Sequence, residues 1–207
     1  MIRLTERDRK FLKDLYLVKY LNTKRICRLY QTVKNCQYRL KQMVKVGYIK
    51  VIDCTECGEF VYCISKKGCN ILSVCYTNTN KPTQLSHSLA CSDFYCSIRN
   101  KSPTSVQLEI QYYFKHSGRK YSFRPDILIN IDRWYFIEID LSGRRFDSKV
   151  ESWEAFYESE EYLKYFEKYP PIIIVTTNVE KVKGIIDKLK KVELNYVYKD
   201  YNQIKEW

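Results

Sequence analysis

The chain has 207 residues, of which 45% are hydrophobic and 15% aromatic, so it can build a folded core and is not of the disordered class. Its net charge is +12, and no apolar run reaches the length of about 18 residues that a membrane-spanning helix needs. The N-terminus is charged from the start and lacks the apolar segment of a signal peptide, so we expect a cytoplasmic protein with no membrane partner.

The excess positive charge lies in the first part of the chain. Residues 1–81 contain 17 Lys and Arg against 6 Asp and Glu, whereas residues 82–207 contain 19 against 18. Such asymmetry predicts two modules, the first of which faces a polyanion, although a generally basic surface is the alternative. The polar segment 77–82 is typical of a linker. We therefore predict a DNA-binding domain at 1–76, a linker at 77–82 and a second domain at 83–207.

Cap signals divide the first domain into three helices. Thr5 followed by Asp8 has the pattern of a capping box, and an apolar stripe comes after it. Asn22-Thr23 and Gln31-Thr32 are further cap signals, which predict a second helix at 24–30 and a third at 33–46.

The third helix has an apolar face and, opposite it, a basic face with amide and phenol groups. This outward face falls within an arc of about 100°. Its members, our candidate DNA-binding residues, are Lys34, Gln37, Tyr38, Lys41 and Lys45. In a major groove, lysine contacts phosphates or guanine and glutamine can pair with adenine. The alternative is the solvated face of an ordinary core helix.

Two strand-like runs follow the third helix, at 48–52 and 60–64, and a polar turn joins them. Three helices followed by a two-stranded hairpin are typical of a winged helix-turn-helix. Because the turn carries Glu56 and Glu59, we expect DNA to contact the third helix and not the tip of the wing.

The nine cysteines are expected to be mostly small buried hydrophobic residues. Cys54 and Cys57 form a C-x-x-C-G sequence, which is half of a zinc-binding pattern. A second C-x-x-C or C-x-x-H is missing from the sequence, and Cys63 and Cys69 have irregular spacing. We therefore favour an ordinary turn at this position.

Hydrophobic periodicity predicts the elements of the second domain. They are a helix at 83–98, strands at 106–112, 126–131 and 134–141, a helix at about 146–169, a buried strand at 172–175, a helix at 179–192 and a strand at 196–198. Helix, three strands, helix and buried strand are the core of the restriction-endonuclease-like fold. The predicted fold class is therefore a two-module α+β or α/β protein, with an N-terminal winged helix-turn-helix followed by a restriction-endonuclease-like αβββαβ domain.

Three carboxylates are the candidate catalytic and metal-binding residues. Alternation puts Glu138 and Asp140 on one face of a strand, about 7 Å apart, and a hairpin would bring Asp126 beside them. Three carboxylates this close together repel one another unless a cation lies among them. Mg²⁺ or Mn²⁺ would suit these oxygen ligands. Lys149 is a further catalytic candidate, because a nuclease also needs a cation that stabilises developing charge. Arg144 and Arg145 are alternatives for that role.

Two motifs carry a resemblance to known families. Pro125-Asp126 and Glu138-Ile139-Asp140 resemble the PD-(D/E)xK motif of a nuclease superfamily, with Asp140 in place of the lysine. The chain also resembles the replication-relaxation family over most of its length. That resemblance rests on these two motifs, on the winged helix, on His87 and Asp93 on one helix, and on Arg124 before Pro125. That resemblance implies double-stranded DNA binding in the replication or transfer of a plasmid or integrative element of Gram-positive bacteria. It also implies the element's replication or transfer proteins as partners, and it does not establish cleavage.

Three functions follow as hypotheses. The first is a DNA-binding accessory protein, and this hypothesis does not specify whether its nuclease-like domain cleaves DNA. The second is a Mg²⁺-dependent DNA endonuclease that uses Asp126, Glu138 and Asp140. The third is a winged-helix transcriptional regulator whose second domain forms a homodimer, with the carboxylates in ordinary ion pairs. The sequence has no GxxxxGK[ST] loop of a P-loop NTPase, and two histidines are too few for the metal cluster of a rolling-circle relaxase.

Overall fold

The computed structural model of the protein describes residues 3–30, 33–77, 82–101, 103–142 and 146–204, without the side chains of residues 33–35 and 100. The described part has a mixed α+β fold. It divides into two compact units, Met1–Cys96 and Ser97–Trp207.

The described residues form eight α-helices and ten strands. The helices are α1 (Glu6–Val18), α2 (Thr23–Tyr30), α3 (Val33–Val46), α4 (Lys66–Leu72), α5 (Leu85–Ile98), α6 (Asp147–Glu158), α7 (Val179–Leu189) and α8 (Tyr201–Ile204). The strands are β1 (Leu21–Asn22), β2 (Ile49–Cys54), β3 (Phe60–Ile64), β4 (Ser105–Leu108), β5 (Tyr112–His116), β6 (Arg119–Phe123), β7 (Ile127–Asn130), β8 (Trp134–Asp140), β9 (Ile172–Thr176) and β10 (Tyr196–Asp200). Short 3₁₀ segments lie at Arg99–Lys101 and Glu161–Lys164.

The cap signals of the first unit act locally, as expected. Asp8 N donates to Thr5 Oγ1 at 3.2 Å, and Thr5 N donates to Asp8 Oδ2 at 2.7 Å, which confirms the capping box of α1. Arg25 N donates to Asn22 Oδ1 at 3.0 Å at the start of α2. The predicted third cap, Gln31-Thr32, lies outside the described residues.

Three helices and then a hairpin form most of the first unit. β2 and β3 pair antiparallel, and β1 pairs with the other edge of β3. β1 was not predicted, because a strand of two residues has no periodicity to detect. The largest fully buried apolar side chains fix the helices to this sheet, and they are Leu12, Leu15, Leu21, Ile26, Met43 and Ile49.

The division between units falls after Cys96, in the last turn of α5, and not at the predicted linker 77–82, so most of α5 belongs to the first unit. Three polar contacts explain the difference. Arg25 on α2 pairs with both carboxylate oxygens of Asp93 on α5. Tyr95 Oη donates to Asp14 Oδ1 at 2.8 Å, and Ser92 Oγ donates to the Tyr20 carbonyl at 2.5 Å. Buried polar groups need such partners, which makes α5 part of this core. Residues 78–81 of the predicted linker lie outside the described residues.

The second unit is built on a five-stranded sheet with the order β10-β9-β8-β7-β4. β4, β7 and β8 are antiparallel, and β8, β9 and β10 are parallel, with α6 and α7 as the crossovers. Parallel neighbours require such crossover connections. One face of the sheet packs against α6 and α7 through a largely aromatic core, which includes Leu128, Phe136, Trp153, Phe156, Ile174 and Val182.

Two predicted boundaries in this unit are wrong. The strand predicted at 106–112 ends at Leu108, and Glu109 has φ 53°. β5 and β6 then pair as a separate hairpin, whose Ser117-Gly118 turn has φ 47° and 78°. The helix predicted at 146–169 ends at Glu158, because Glu160 has φ 56° and turns the chain so that Phe166 and Tyr169 pack on Phe136. Long-range aromatic contact therefore overrides the local helical pattern.

In the part of the chain that the structure describes, no helix is both long and apolar enough to cross a bilayer.

Candidate functional site

The outward face predicted for α3 is exposed in the structure. Gln37, Tyr38, Lys41 and Lys45 are exposed, with Tyr38 at 66%. The side chain of Lys34 lies outside the described residues. Cys36, Leu40 and Met43 are buried on the opposite face. Periodicity of 3.6 residues accounts for this separation, since it places apolar positions three and four apart on one side.

The position of α3 is fixed at both of its faces. On the inner side its apolar residues join the core, and at its end Gly47, with φ 81°, lets the chain turn into β2. On the outer rim Arg39 pairs with Asp8 of α1. Burial by itself would raise the pKa of Asp8, but hydrogen bonds from Arg39 and Thr5 outweigh it and hold that pKa below its usual value.

A basic cleft of about 760 Å³ lies between α2, α3 and the β2–β3 hairpin. Its charged lining among the described residues consists of four cations and one carboxylate, namely Lys24, Arg28, Lys41, Lys45 and Glu59. The amide of Asn22 donates to Glu59, which therefore has a partner inside the protein. The cleft thus presents a net positive surface next to the exposed face of α3.

Lys24 and Arg28 were missed by the sequence analysis. They are four residues apart on α2, so they share one helical face, and both are exposed and line the cleft. Their spacing was a usable signal, but only the tertiary arrangement of α2 against the hairpin shows that they face the same space as Lys41 and Lys45.

The β2–β3 turn has the acidic and cysteine residues that the sequence indicated. Thr55 N donates to the Glu59 carbonyl and Gly58 N to the Thr55 carbonyl, each at 2.8 Å. Cys54, Glu56 and Cys57 are exposed on this turn.

The three candidate carboxylates of the second unit are each engaged by protein groups. β7 and β8 pair so that Ile127 lies opposite Ile137. Continued by one residue, the same register places Asp126 opposite Glu138. Asp126 Oδ2 accepts from the Ile139 N–H at 2.7 Å. Asp140 Oδ1 accepts from Ser142 N at 3.3 Å and from Ser142 Oγ at 3.2 Å.

Glu138 is 2% exposed and forms an ion pair with Lys149 of α6. Lys149 Nζ contacts Glu138 Oε1 directly, and the charge of this ammonium group offsets the cost of burying the carboxylate. Of the basic residues predicted to follow β8, Lys149 contacts Glu138, while Arg144 and Arg145 lie outside the described residues.

The structure does not bring Asp126, Glu138 and Asp140 together as a metal site. Among the described residues, no three His, Cys, Asp or Glu side chains are grouped so that they could hold a metal ion. A Mg²⁺ or Mn²⁺ ion does not fit the side chains as they are placed, because it would first have to displace the backbone, hydroxyl and ammonium groups that contact the carboxylates.

His87 contacts Cys91 within α5. Its Nε2 atom lies 3.8 Å from Cys91 Sγ, one helical turn away.

No family model and no curated protein matches the sequence. A solved structure described as "protein VC1899 from Vibrio cholerae" is similar to this chain with a TM-score of 0.38 and 12% sequence identity. The similarity covers 97% of this chain and 50% of that one, so this chain spans about half the length of that protein. A similarity of this strength carries no argument about fold or function.

Proposed function

We propose that this chain binds double-stranded DNA through the exposed face of α3 and the basic cleft beside it. The observation that carries the proposal is the lining of the cleft, where Lys24, Arg28, Lys41 and Lys45 face one space and the carboxylate, Glu59, is held by Asn22. Clustered cations attract the phosphate backbone and release its counterions.

The arrangement supports a winged helix-turn-helix as the DNA-binding element. Three helices precede a β-hairpin, and a helix of 14 residues presents its polar face outward. In this mode α3 enters the major groove, where Gln37 and Lys41 would meet base edges, while Lys24 and Arg28 on α2 would meet phosphates. The exposed Glu56 at the turn keeps phosphates away from the tip of the hairpin.

A matched pair of double variants tests the proposal. In the first, Lys41→Gln and Lys45→Gln remove two charges from α3, and in the second, Lys10→Gln and Lys13→Gln remove two exposed charges from α1, outside the cleft lining. Fluorescence anisotropy with a labelled duplex should show about tenfold weaker binding, or more, for the α3 variant at moderate salt. The α1 variant should bind almost as the parent does. Equal weakening of both variants, or of neither, would reject this interface.

The role in replication or transfer of a mobile element is a prediction from the resemblance to the replication-relaxation family. Footprinting on DNA of the protein's own element tests it. Protection at a replication or transfer origin supports that role. Protection over the protein's own promoter alone supports the transcriptional regulator instead.

A second candidate function is a metal-dependent DNA endonuclease, in which the three carboxylates would have to leave their present partners and regroup around the metal, with Lys149 beside Glu138 as the cation. Incubating the purified protein with supercoiled DNA of its element and Mn²⁺ tests this candidate. Nicking that disappears in Asp126→Ala and in Glu138→Ala supports it. Intact DNA under these conditions rejects it.

A further inference from the structure

The turn of the β2–β3 hairpin presents two exposed thiols at close sequence spacing. Cys54 is the last residue of β2 and pairs with Phe60 across the hairpin. Cys57 lies inside the turn that the Gly58 N–H closes on the Thr55 carbonyl. Gly58 has φ 77°, a conformation that side-chain-bearing residues rarely adopt, and it reverses the chain directly after Cys57. The local structure is thus a compact C-x-x-C-G turn on the protein surface.

These two thiols differ from most of the other cysteines. Six of the nine cysteines are buried, and the exposed ones are Cys54, Cys57 and Cys75. Burial, followed by contact with Cys27, raises the pKa of the Cys36 thiol to about 12. Burial also raises the pKa of Cys69. Thiols of this kind form thiolates poorly, and thiolate is the form that binds metal.

The nearby cysteines cannot complete a metal site with the turn. Cys63 and Cys69 are 0% and 1% exposed, so they have no access to the surface where Cys54 and Cys57 lie. Among the described residues no third His, Cys, Asp or Glu joins these two thiols in a metal-holding group. Structural zinc sites have four ligands, commonly from pairs of cysteines spaced as C-x-x-C. One turn therefore supplies half of the ligands that Zn²⁺ needs.

A second copy of the chain supplies the same two thiols by two-fold symmetry. Because such an interface uses the same surface on both partners, two identical turns meet around one point. Each turn also carries the exposed Glu56, so two turns repel each other. A Zn²⁺ ion with four thiolate ligands has a net negative charge and does not neutralise these carboxylates, so the four zinc–sulfur bonds would supply the attraction that joins the turns.

We propose that Cys54 and Cys57 from two copies of this chain bind one Zn²⁺ between them and join the copies at their hairpin turns. Four thiols release four protons, and each thiolate donates an electron pair to the metal, with no change of oxidation state. The proposal does not depend on DNA binding, because neither Cys54 nor Cys57 lines the basic cleft, although the next residue, Gly58, does. The hairpin turn would then have a role in metal binding and dimerisation, whereas its acidic tip disfavours contact with phosphates.

The test uses the full chain, kept reduced, stripped of metal with a chelator and then supplied with Zn²⁺ alone. Light scattering should show a shift from 25.0 kDa to about 50 kDa, with about 0.5 zinc per chain, as two chains sharing one four-coordinate ion require. Chelator should reverse the shift. A monomer that holds one zinc, or a chain that ignores zinc while reduced, overturns the proposal.

Serine variants assign the ligands. Cys54→Ser and Cys57→Ser should each abolish zinc-dependent dimerisation, whereas Cys75→Ser, which changes an exposed cysteine outside the turn, should leave it intact. Circular dichroism establishes that the variants are folded, which is expected since both positions are exposed. A zinc dimer that survives Cys54→Ser and Cys57→Ser together, or that fails in Cys75→Ser, places the ligands elsewhere and overturns the assignment.

Cobalt gives a readout of the ligand set that mass alone does not. Co²⁺ in place of Zn²⁺ should produce the intense visible and near-ultraviolet absorption of a tetrahedral four-thiolate site. Weak bands typical of oxygen ligands, or a spectrum that is unchanged in Cys57→Ser, would contradict coordination by both turns.

Discussion

Arg39 holds Asp8 through two parallel hydrogen bonds, from Nε to Oδ1 at 3.0 Å and from Nη2 to Oδ2 at 2.6 Å. The same Asp8 closes the capping box of α1 through Thr5. One carboxylate thus joins the start of α1 to the middle of α3, the helix that we propose meets DNA. A planar guanidinium fixes direction as well as distance, so this pair orients α3 on the rest of the unit.

Replacement of Asp8 by asparagine should lower the free energy of unfolding by about 1–3 kcal/mol, because the charge-assisted pair with Arg39 is lost at a largely buried position. Glu6→Gln is the matched control, since Glu6 is an exposed acid in the same turn of α1. It should cost less than about 1 kcal/mol. Urea denaturation measures both values. Equal losses for the two variants would show that net charge, and not the contact with Arg39, is responsible.

Acid should remove the advantage of Asp8. Its pKa is lowered in the folded state from an ordinary value of 3.8, so its contribution is complete above that value and declines as the pH falls toward the lowered pKa. The difference in unfolding free energy between the parent and Asp8→Asn should therefore be constant near neutral pH and shrink below about pH 4. Urea curves at a series of pH values measure it. A difference that grows on acidification contradicts the assignment.

Replacing either of two helical glycines with alanine should change the stability of the fold, in opposite directions at the two positions. At Gly68 on α4, an added Cβ would collide with the Tyr48 carbonyl and lie 2.7 Å from Ile64 Cγ1, so Gly68→Ala should destabilise by about 2–3 kcal/mol. Gly184 on α7 is exposed with open space around it, so Gly184→Ala should stabilise by about 0.5–1 kcal/mol. Thermal unfolding measures both shifts, and a neutral Gly68→Ala would mean that α4 can move away from the Tyr48 carbonyl at little cost.

The contrast between α3 and α6 shows what the sequence can predict. The bounds and exposed face of α3 follow from local signals, namely apolar spacing and Gly47, and the structure confirms them at the residues it describes. The end of α6 depends on Phe166 and Tyr169 returning to Phe136, which no local pattern encodes. The cleft cations on α2 and the pairing of Lys149 with Glu138 depend likewise on contacts between elements. The alternation along β8 predicts that Glu138 and Asp140 share a strand face. It does not predict that Lys149 and Ser142 contact these carboxylates.

Cations on α2 should contribute to the salt dependence of DNA binding if the cleft holds phosphates. Replacing Lys24 and Arg28 with glutamine removes two charges from the cleft lining. The slope of log affinity against log salt concentration should become shallower by about 2. Lys10→Gln with Lys13→Gln, the exposed pair on α1, should change the slope by much less. Anisotropy titrations at several salt concentrations measure the slopes, and equal slopes for the two double variants would place the DNA elsewhere.

The pair of Glu138 and Lys149 should behave asymmetrically in a double-mutant cycle. Lys149→Met leaves a 2% exposed carboxylate without its cation and should destabilise by about 3 kcal/mol. Glu138→Gln leaves a lysine whose side chain is 40% exposed and can turn toward water, so it should cost about 1 kcal/mol. Once Glu138 is neutral, adding Lys149→Met should cost little more, which gives a coupling of about 3 kcal/mol. Lys183→Met on the exposed side of α7 serves as the control for loss of a lysine. If Lys149→Met costs no more than Lys183→Met in urea denaturation, the ion pair does not stabilise the buried carboxylate, and Glu138 must be held by other groups.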